Sequence, residues 1–412
     1  MKIKDIRIQN FRGIEDIKIL DADPQMNLIV GVNGAGKTSI LDAMAILLSW
    51  LIARMRSTNA KGASINEADI KIGSKEPCLL SIETEKWVNW TVSKSKSYTV
   101  RNKQTSSKTD LKEMQNLAEE IVENAERGGG VPVLMYYPVE RIVASVPVNL
   151  HKAETNIWDV YKDALSGNSN FRSFFEWYRS QEDIENEMIR DDASYRDHSL
   201  NAVRKVISSF FPDFSEMRVR RRPYQAMVIK KGEEVIEFSQ LSQGEKCYLS
   251  LVCDIARRLA IANPDLDNPL EGEGIILIDE VDLHLHPKWQ MEIANKLTSI
   301  FKNCQFFLST HSPIVLSDIK KHQITVIDCG KKVEVAFDPY GKSASCIMNN
   351  YFDMPYQRNV NVARDIEQAF AAIRMRNVAE FHDLYERLLP IIGPADSDMV
   401  KLAVEAKRNG LR

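Results

Sequence analysis

The segment GVNGAGKT, from Gly31 to Thr38, decides the fold of this chain. It fits the pattern G-x-x-x-x-G-K-[ST] and directly follows the apolar run LIV at residues 28–30. From Ser39 to about Arg56, apolar residues recur at the spacing of a buried helix face. A strand, a glycine-rich loop and a helix in this order predict the first unit of an α/β nucleotide-binding domain.

The residue types of this loop suit phosphate. Glycines let backbone N–H groups close around phosphate oxygens, and the positive end of the helix dipole faces the same space. Lys37 is predicted to reach the β- and γ-phosphates of a nucleotide, and Thr38 to offer its hydroxyl to Mg²⁺. A plain glycine turn before a helix is the alternative, and the flanking strand and helix make it the weaker one.

Length and composition place the chain among ordinary globular proteins. Its 412 residues predict two or three lobes, and 44% hydrophobic with 27% charged residues exclude a disordered or fibrous chain. The net charge of −3 argues against polyanion binding along the whole chain. Six cysteines without a C-x-x-C pair fit a reducing compartment. The most apolar stretch, Ala43–Ala53, is about half the length of a membrane span. We therefore predict a cytoplasmic protein with no membrane partner and no signal peptide.

Two further strands are predicted to end in chemically useful side chains. IILIDE places Asp279 and Glu280 at the carboxyl end of a buried strand, where open α/β sheets bind ligands. An aspartate there can hold Mg²⁺, and the adjoining glutamate can deprotonate a water. CQFFLST ends at His311, which is either a satisfied core histidine or part of the same site.

The segment LSQGEK, Leu241–Lys246, has two compatible interpretations. Ser242 and Glu245 form an S-x-x-E capping box, which would start the following apolar helix. A capped helix N-terminus that contains Gly244 is also an anion site, at which Ser242 and the exposed amides could grip a γ-phosphate.

The order of these motifs resembles that of the ABC-type ATPases. Together with QNFRGI at residues 9–14 and IDEVDLHLHPKWQ at residues 278–290, it resembles the chromosome-maintenance and Rad-type group. Within that group the chain looks most like PtuA, the ATPase subunit of Septu anti-phage systems, which also occurs with retrons. That finer resemblance rests on FFEWYRSQEDIENE at residues 174–187 and YYPVER at residues 136–141.

The resemblance implies a role for each motif residue. Lys37, Glu280 and His311 would be catalytic, with His311 as the switch histidine, and Thr38 and Asp279 would hold Mg²⁺. The residues that would surround ATP are Asn33, Gly34, Ala35, Gly36, Lys37, Thr38, Ser39, Ser242, Gln243, Gly244, Glu245 and the D-loop residue Asp282. Two features depart from the pattern: YYPVER lacks the glutamine of a Q-loop, and Gln243 and Glu245 stand where transporters have glycine and glutamine.

In this class Ser242 and Gly244 complete the site of a facing chain. The resemblance therefore implies a homodimer that encloses two ATP molecules, and it allows a higher homo-oligomer. The expected fold is α/β, a P-loop NTPase of the ABC and SMC-head type with a central helical insertion and a mostly helical C-terminal tail. The expected regions are an N-terminal ATPase lobe at 1–150, the insertion at 151–216, a C-terminal ATPase lobe at 217–338 and a helical region for partner or oligomer contacts at 339–412. The first lobe is expected to hold a β-meander from about 78 to 103, a basic stretch at 94–108 and a glycine hinge at 128–130. The second is expected to begin with a hairpin at 217–238 that turns near Lys231.

Three functions fit these features. The favoured one is an ATP-hydrolysing regulatory subunit of an anti-phage defence complex, which controls a separate PtuB-like nuclease with an HNH motif and reaches DNA through that complex. No nuclease site is expected in this chain, since the stretch after His311 is too short to hold a nuclease domain around the D-x-D at Asp396 and Asp398. That D-x-D suits a helix cap instead. The second is a RecF- or Rad-like repair clamp that contacts DNA through RVRRR at residues 218–222. The third is a slowly hydrolysing, ATP-gated scaffold.

Overall fold

A computed structural model describes residues 1–96, 109–139, 156–166, 171–352 and 358–410. Packing divides the chain into two compact units, Met1–Ile347 and Met348–Arg412. Both predicted lobes of the ATPase and the described part of the insertion belong to the first unit. The finer boundaries at residues 150, 216 and 338 stay predictions.

The strands of the described residues belong to three sheets. Their bounds are β1 Ile3–Phe11, β2 Ile14–Ile19, β3 Met26–Val30, β4 Cys78–Thr84, β5 Asn89–Lys94, β6 Val133–Tyr137, β7 Phe214–Arg220, β8 Ala226–Lys231, β9 Glu234–Glu237, β10 Gly274–Ile278, β11 Cys304–Thr310, β12 Ile324–Asp328 and β13 Lys331–Val333.

The helices of the described residues cover these sheets and form the second unit. Their bounds are α1 Lys37–Arg56, α2 Lys112–Glu126, α3 Phe171–Asp191, α4 His198–Phe210, α5 Gln243–Ala262, α6 Pro287–Ile300, α7 Pro313–Leu316, α8 Ala344–Tyr351, α9 Val360–Arg374, α10 Val378–Ile392 and α11 Ser397–Arg408.

The central sheet has six strands in the order β13-β12-β3-β11-β10-β6. All neighbours run parallel except the β12–β13 hairpin. Every residue of β3, β6, β10 and β11 is buried, which explains why these strands are continuous apolar runs in the sequence. The parallel register brings the carboxyl ends of β3, β10 and β11 to one edge. The α/β fold with a P-loop after a central strand is therefore confirmed.

A four-stranded antiparallel sheet, β2-β1-β4-β5, lies in the same unit. Its strand β4 alternates between buried and partly buried residues, as the alternation of the sequence predicts. The predicted meander is confirmed up to Lys94, and residues 97–108 of the basic stretch lie outside the described residues.

Helix α1 begins two residues before the predicted start and is a helix of the core. It is the one helix in the described part of the chain whose length and hydropathy would suffice for a membrane span. Its apolar side chains are buried, however, including Leu41, Met44 and Leu48 at 0% exposure. The apolar character of α1 is thus explained by packing inside the protein.

The described part of the insertion, α3 and α4, packs on α5 and on the sheet β7-β8-β9. One face of α3 buries Phe174, Phe175 and Tyr178. Its acidic face is buried as well where Glu185 takes two hydrogen bonds from Arg204, at 2.9 and 2.7 Å. The predicted hairpin at 217–238 is a three-stranded sheet that begins at residue 214, and the turn after Lys231 lies where it was predicted.

The second unit has its own apolar core between α9, α10 and α11. Leu388, Met399 and Leu402 are at 0% exposure in it. Asp396 caps α11 by accepting the Asp398 N–H at 2.9 Å, and Arg358 pairs with both carboxylates. The D-x-D of this segment is therefore a helix cap, as predicted.

Candidate functional site

The P-loop connects β3 to α1. Gly36 precedes the helix with φ = 111°, a conformation that favours glycine over other residues. The loop is held from the side by the β12–β13 turn, where the Gly330 N–H donates to the Ala35 carbonyl at 3.0 Å. Lys37 is buried and its ammonium donates to the Gly31 carbonyl at 3.0 Å. Asn33 and Thr38 are exposed.

His311 lies at the P-loop, which decides between its two interpretations. Its Nε2 is 2.5 Å from the Lys37 Nζ. Burial lowers the pKa of His311, and the Lys37 charge lowers it further. Burial also lowers the pKa of Lys37, against the opposing carboxylates of Asp279 and Glu280. A neutral imidazole can accept a hydrogen bond from the Lys37 ammonium, so the two side chains form a polar pair inside the site.

Thr38 and Asp279 form the second part of the site. Asp279 is fully buried, and its Oδ2 accepts a hydrogen bond from the Thr38 hydroxyl at 2.7 Å. Its Oδ1 accepts one from Ser309. Hydroxyl and carboxylate oxygens are the ligands that Mg²⁺ prefers, so this pair fits the predicted metal role. Among the described residues no group of three or more His, Cys, Asp and Glu could hold a metal ion, as expected where Mg²⁺ takes its other ligands from phosphate and water.

The carboxyl ends of β10 and β11 are joined by hydrogen bonds of Ser309 and Thr310, which were not among the predicted site residues. The Ser309 Oγ accepts the backbone N–H of Glu280 at 2.8 Å, and Glu280 has a left-handed φ of 45°. The Thr310 hydroxyl donates to Asp282. These contacts fix the backbone on which the predicted general base is carried. The parallel register of the two strands puts Ser309 and Thr310 there, and that register is not visible in the sequence.

The signature segment caps α5. The Ser242 hydroxyl donates to Glu245 Oε2 at 2.7 Å, and the two residues form the predicted capping box. Gly244 lets the backbone of α5 lie close to the D-loop segment that contains Asp282 and His284. A Cβ at Gly244 would lie 2.4 Å from the His284 carbonyl oxygen. Ser242 and Gln243 are exposed.

The structure thus gathers most of the predicted site residues but not all. Lys37 contacts His311 and Thr38 contacts Asp279, and the charges of Asp279, Glu280 and Asp282 are close enough to act on Lys37. The signature residues have other contacts within the described residues, namely the β8–β9 turn and the segment before α6. The expectation that they serve a facing chain stays a prediction.

Two tyrosines at the end of β6 connect this site to the signature helix. Tyr136 donates to Asp42 on α1 at 2.7 Å. Tyr137 donates at 2.9 Å to Asp254 on α5, which also pairs with Arg257 and Arg258. The P-loop helix and the signature helix are therefore tied to the same short strand. The YYPVER segment shows no Q-loop glutamine, and residues 140–155 lie outside the described residues.

Two of the four arginines of RVRRR form ion pairs within the protein. Arg220 pairs with Glu237, and Arg221 pairs with Glu182 and Asp183. Arg218 and Arg222 are exposed, so a DNA contact through this segment stays a prediction.

The chain is similar to several known proteins. Two family models match, an AAA domain at residues 5–209 and, at residues 154–317, an AAA domain described together with the AbiEii toxin of type IV toxin–antitoxin systems. The SMC head domain from Thermotoga maritima aligns with 82% of this chain and 100% of its own, at a TM-score of 0.39 and 16% identity.

Retron Vc95 probable ATPase of Vibrio cholerae is 31% identical over 401 residues, which cover 84% of this chain and 78% of that protein. Septu protein PtuA of Bacillus thuringiensis is 23% identical, covering 81% of this chain and 77% of that protein. The resemblance to PtuA and to retron-associated proteins is therefore confirmed, and the chain belongs to the ABC-like ATPase family that includes the retron Vc95 ATPase and PtuA.

Proposed function

We propose that this chain binds and hydrolyses ATP as the regulatory subunit of an anti-phage defence complex. The observation that carries the proposal is that two contacting pairs, Lys37 with His311 and Thr38 with Asp279, lie where β3, β10 and β11 end at one edge of the central sheet. The relatives of this chain in retrons and Septu systems support a role in defence. The nuclease that the complex uses is a separate, PtuB-like HNH protein.

Each residue has a task that its position supports. The loop amides and the Lys37 ammonium bind phosphate oxygens, and the Thr38 hydroxyl and Asp279 carboxylate hold the metal. Mg²⁺ bound with ATP supplies the positive charge that offsets the charge of the phosphates. Glu280 is placed to orient a water molecule and to accept its proton on the carboxylate. Neutral His311, beside Lys37, can donate its ring N–H to an oxygen of the terminal phosphate.

The Glu280 role is tested with Glu280→Gln, which keeps the size of the side chain and removes its basicity. We expect ATP binding to persist, hydrolysis to fall by about 10²-fold or more and the ATP-bound dimer to live longer. Binding is followed by fluorescence of a labelled nucleotide and turnover by phosphate release. An unchanged turnover would remove Glu280 from the base role.

We further propose that two chains share each site, with ATP enclosed between the P-loop of one and the signature segment of the other. The exposed Ser242 and Gln243 at the N-terminus of α5 support this, because the N-terminal end of a helix attracts phosphate. Lys37→Ala and Ser242→Ala proteins, each inactive alone, should partly recover ATPase activity when mixed. Mixtures that stay inactive would argue against shared sites.

Control of a separate nuclease is proposed from the similarity to the Septu protein PtuA. The adjacent reading frame identifies the partner: an HNH protein fits a Septu-like system, and a reverse transcriptase fits a retron. Co-purification of that partner, and DNA degradation that responds to Lys37→Ala, would support the proposal. Salt-dependent DNA binding by this chain alone would favour the repair-clamp function.

A further inference from the structure

The signature segment has a basic neighbour that no motif includes. Lys231 ends β8, and its half-exposed side chain reaches Glu245 Oε1 at 2.6 Å. The other oxygen of Glu245 accepts the Ser242 N–H at 2.9 Å and the Ser242 hydroxyl at 2.7 Å. Lys231, Glu245 and Ser242 therefore form a continuous chain of hydrogen bonds, which ends at the exposed tip of α5.

The charge of Glu245 is unfavourable for an anion at this tip. Its carboxylate is almost fully buried and lies one turn into the helix, directly behind Ser242. Burial raises the pKa of Glu245, but the hydrogen bonds from Lys231 and Ser242 outweigh this and the pKa is lowered. Glu245 is therefore ionised near neutral pH, and without Lys231 a negative charge would face any phosphate that approaches Ser242.

Neighbouring cations do not take over the task of Lys231. Lys246, the next residue of the signature helix, donates to the Ser239 carbonyl at 2.6 Å. Lys230, next to Lys231 in β8, lies 3.8 Å from each of Glu216 and Glu233. Successive residues of a strand point to opposite faces, which explains why only one of the two lysines reaches α5.

We propose that Lys231 is a positioning residue of the shared ATP site: it neutralises Glu245 and holds that carboxylate at the Ser242 N–H, so that the Ser242 hydroxyl can turn from Glu245 and donate to the terminal phosphate of the nucleotide on the facing chain. The inference rests on the proposed two-chain site. Lys231 acts through Glu245, and its contribution is made in the dimer. The binding of nucleotide to the P-loop of a single chain does not depend on it.

The test uses the full chain in the Glu280→Gln background, with ATP and Mg²⁺, and measures the dimer dissociation constant by analytical ultracentrifugation. Lys231→Ala should weaken the ATP-dependent dimer at least about tenfold. Lys231→Arg should restore most of the affinity, since the charge is kept. Lys230→Ala is the matched control and should change the constant by less than about twofold.

A second measurement distinguishes the loss of the Lys231 charge from general damage to the fold. Labelled ATP should bind monomeric Lys231→Ala as tightly as the unchanged chain. In a Glu245→Gln background, which keeps a capping side chain, Lys231→Ala should lose most of its effect, because no charge is left to neutralise.

Three results can be told apart. If Lys231→Ala and Lys230→Ala dimerise equally well, the role of Lys231 is refuted. It is also refuted if the Lys231→Ala effect persists unchanged with Gln at position 245. If the Glu280→Gln protein itself forms no dimer with ATP, the shared site is refuted, whatever the lysine variants do.

Discussion

Replacing Asp254 by alanine should destabilise the first unit strongly. Asp254 is 3% exposed and accepts hydrogen bonds from Tyr137, Arg257 and Arg258, which are themselves buried. Its removal leaves two guanidinium groups in the core without a carboxylate. Breaking a buried pair in this way costs about 3–5 kcal/mol, and we expect about 4 kcal/mol here.

The expected shift of the melting temperature follows from the size of the unit. Unfolding entropy is about 2.1 cal/mol/K per residue, so over the 347 residues of the first unit 4 kcal/mol corresponds to about 5 °C. Differential scanning calorimetry measures the shift. The control is Glu123→Ala, which removes an exposed ion pair with Arg127 and should cost less than about 1 kcal/mol. Equal melting temperatures for Asp254→Ala and Glu123→Ala would refute the reasoning.

The difference in stability between the unchanged chain and Asp254→Ala should depend on pH with a definite sign. Burial raises the pKa of Asp254, but the charges of Arg258 and Arg257 outweigh it and hold the pKa well below the usual range. A lowered pKa in the folded state adds stability that is present above the unfolded pKa, about 3.9, and is lost as the pH falls below it. The difference between the unchanged chain and Asp254→Ala should therefore be constant from pH 5 to 8 and shrink only in stronger acid.

Three further substitutions or conditions test the site itself. Gly31→Ala should raise the Kd for ATP more than tenfold, measured by titration with labelled nucleotide, since a Cβ at Gly31 would lie 2.1 Å from the Ile327 carbonyl oxygen. Gly244→Ala should weaken the ATP-dependent dimer and leave nucleotide binding by the monomer intact, because its Cβ would press on the His284 carbonyl; sedimentation and titration together separate the two. Burial and the Lys37 charge lower the pKa of His311, so the ATPase rate should stay level from pH 8 to below pH 6.5 and fall only in more acid buffer; a decline already at pH 7 in steady-state assays would contradict this.

Local patterns were enough to predict the elements of the central sheet. The apolar runs before the P-loop, before Asp279 and before His311 are strands of one parallel sheet, because strands buried on both faces need unbroken apolar sequence. The capping box at Ser242 and Glu245 was equally local, since its two residues are one helical turn apart.

Other features depend on contacts between distant parts of the chain. Ser309 and Thr310 look like ordinary polar residues at a strand end until the register of β10 and β11 places them beside Asp279 and Asp282. Lys231 meets Glu245 only after the β8–β9 turn has folded onto α5. Helix α2, at Lys112–Glu126, lies between the predicted meander and the predicted glycine hinge, in a stretch for which we predicted no element.

The hydrogen bond from Gly330 to Ala35 has a consequence for synthesis of the protein. The loop motif is translated within the first tenth of the chain, whereas the turn that braces it comes almost three hundred residues later. A chain still emerging from the ribosome therefore lacks the β12–β13 turn that supports its P-loop. Nucleotide affinity should appear late and abruptly, so that unfinished or prematurely terminated products do not compete with complete subunits for ATP.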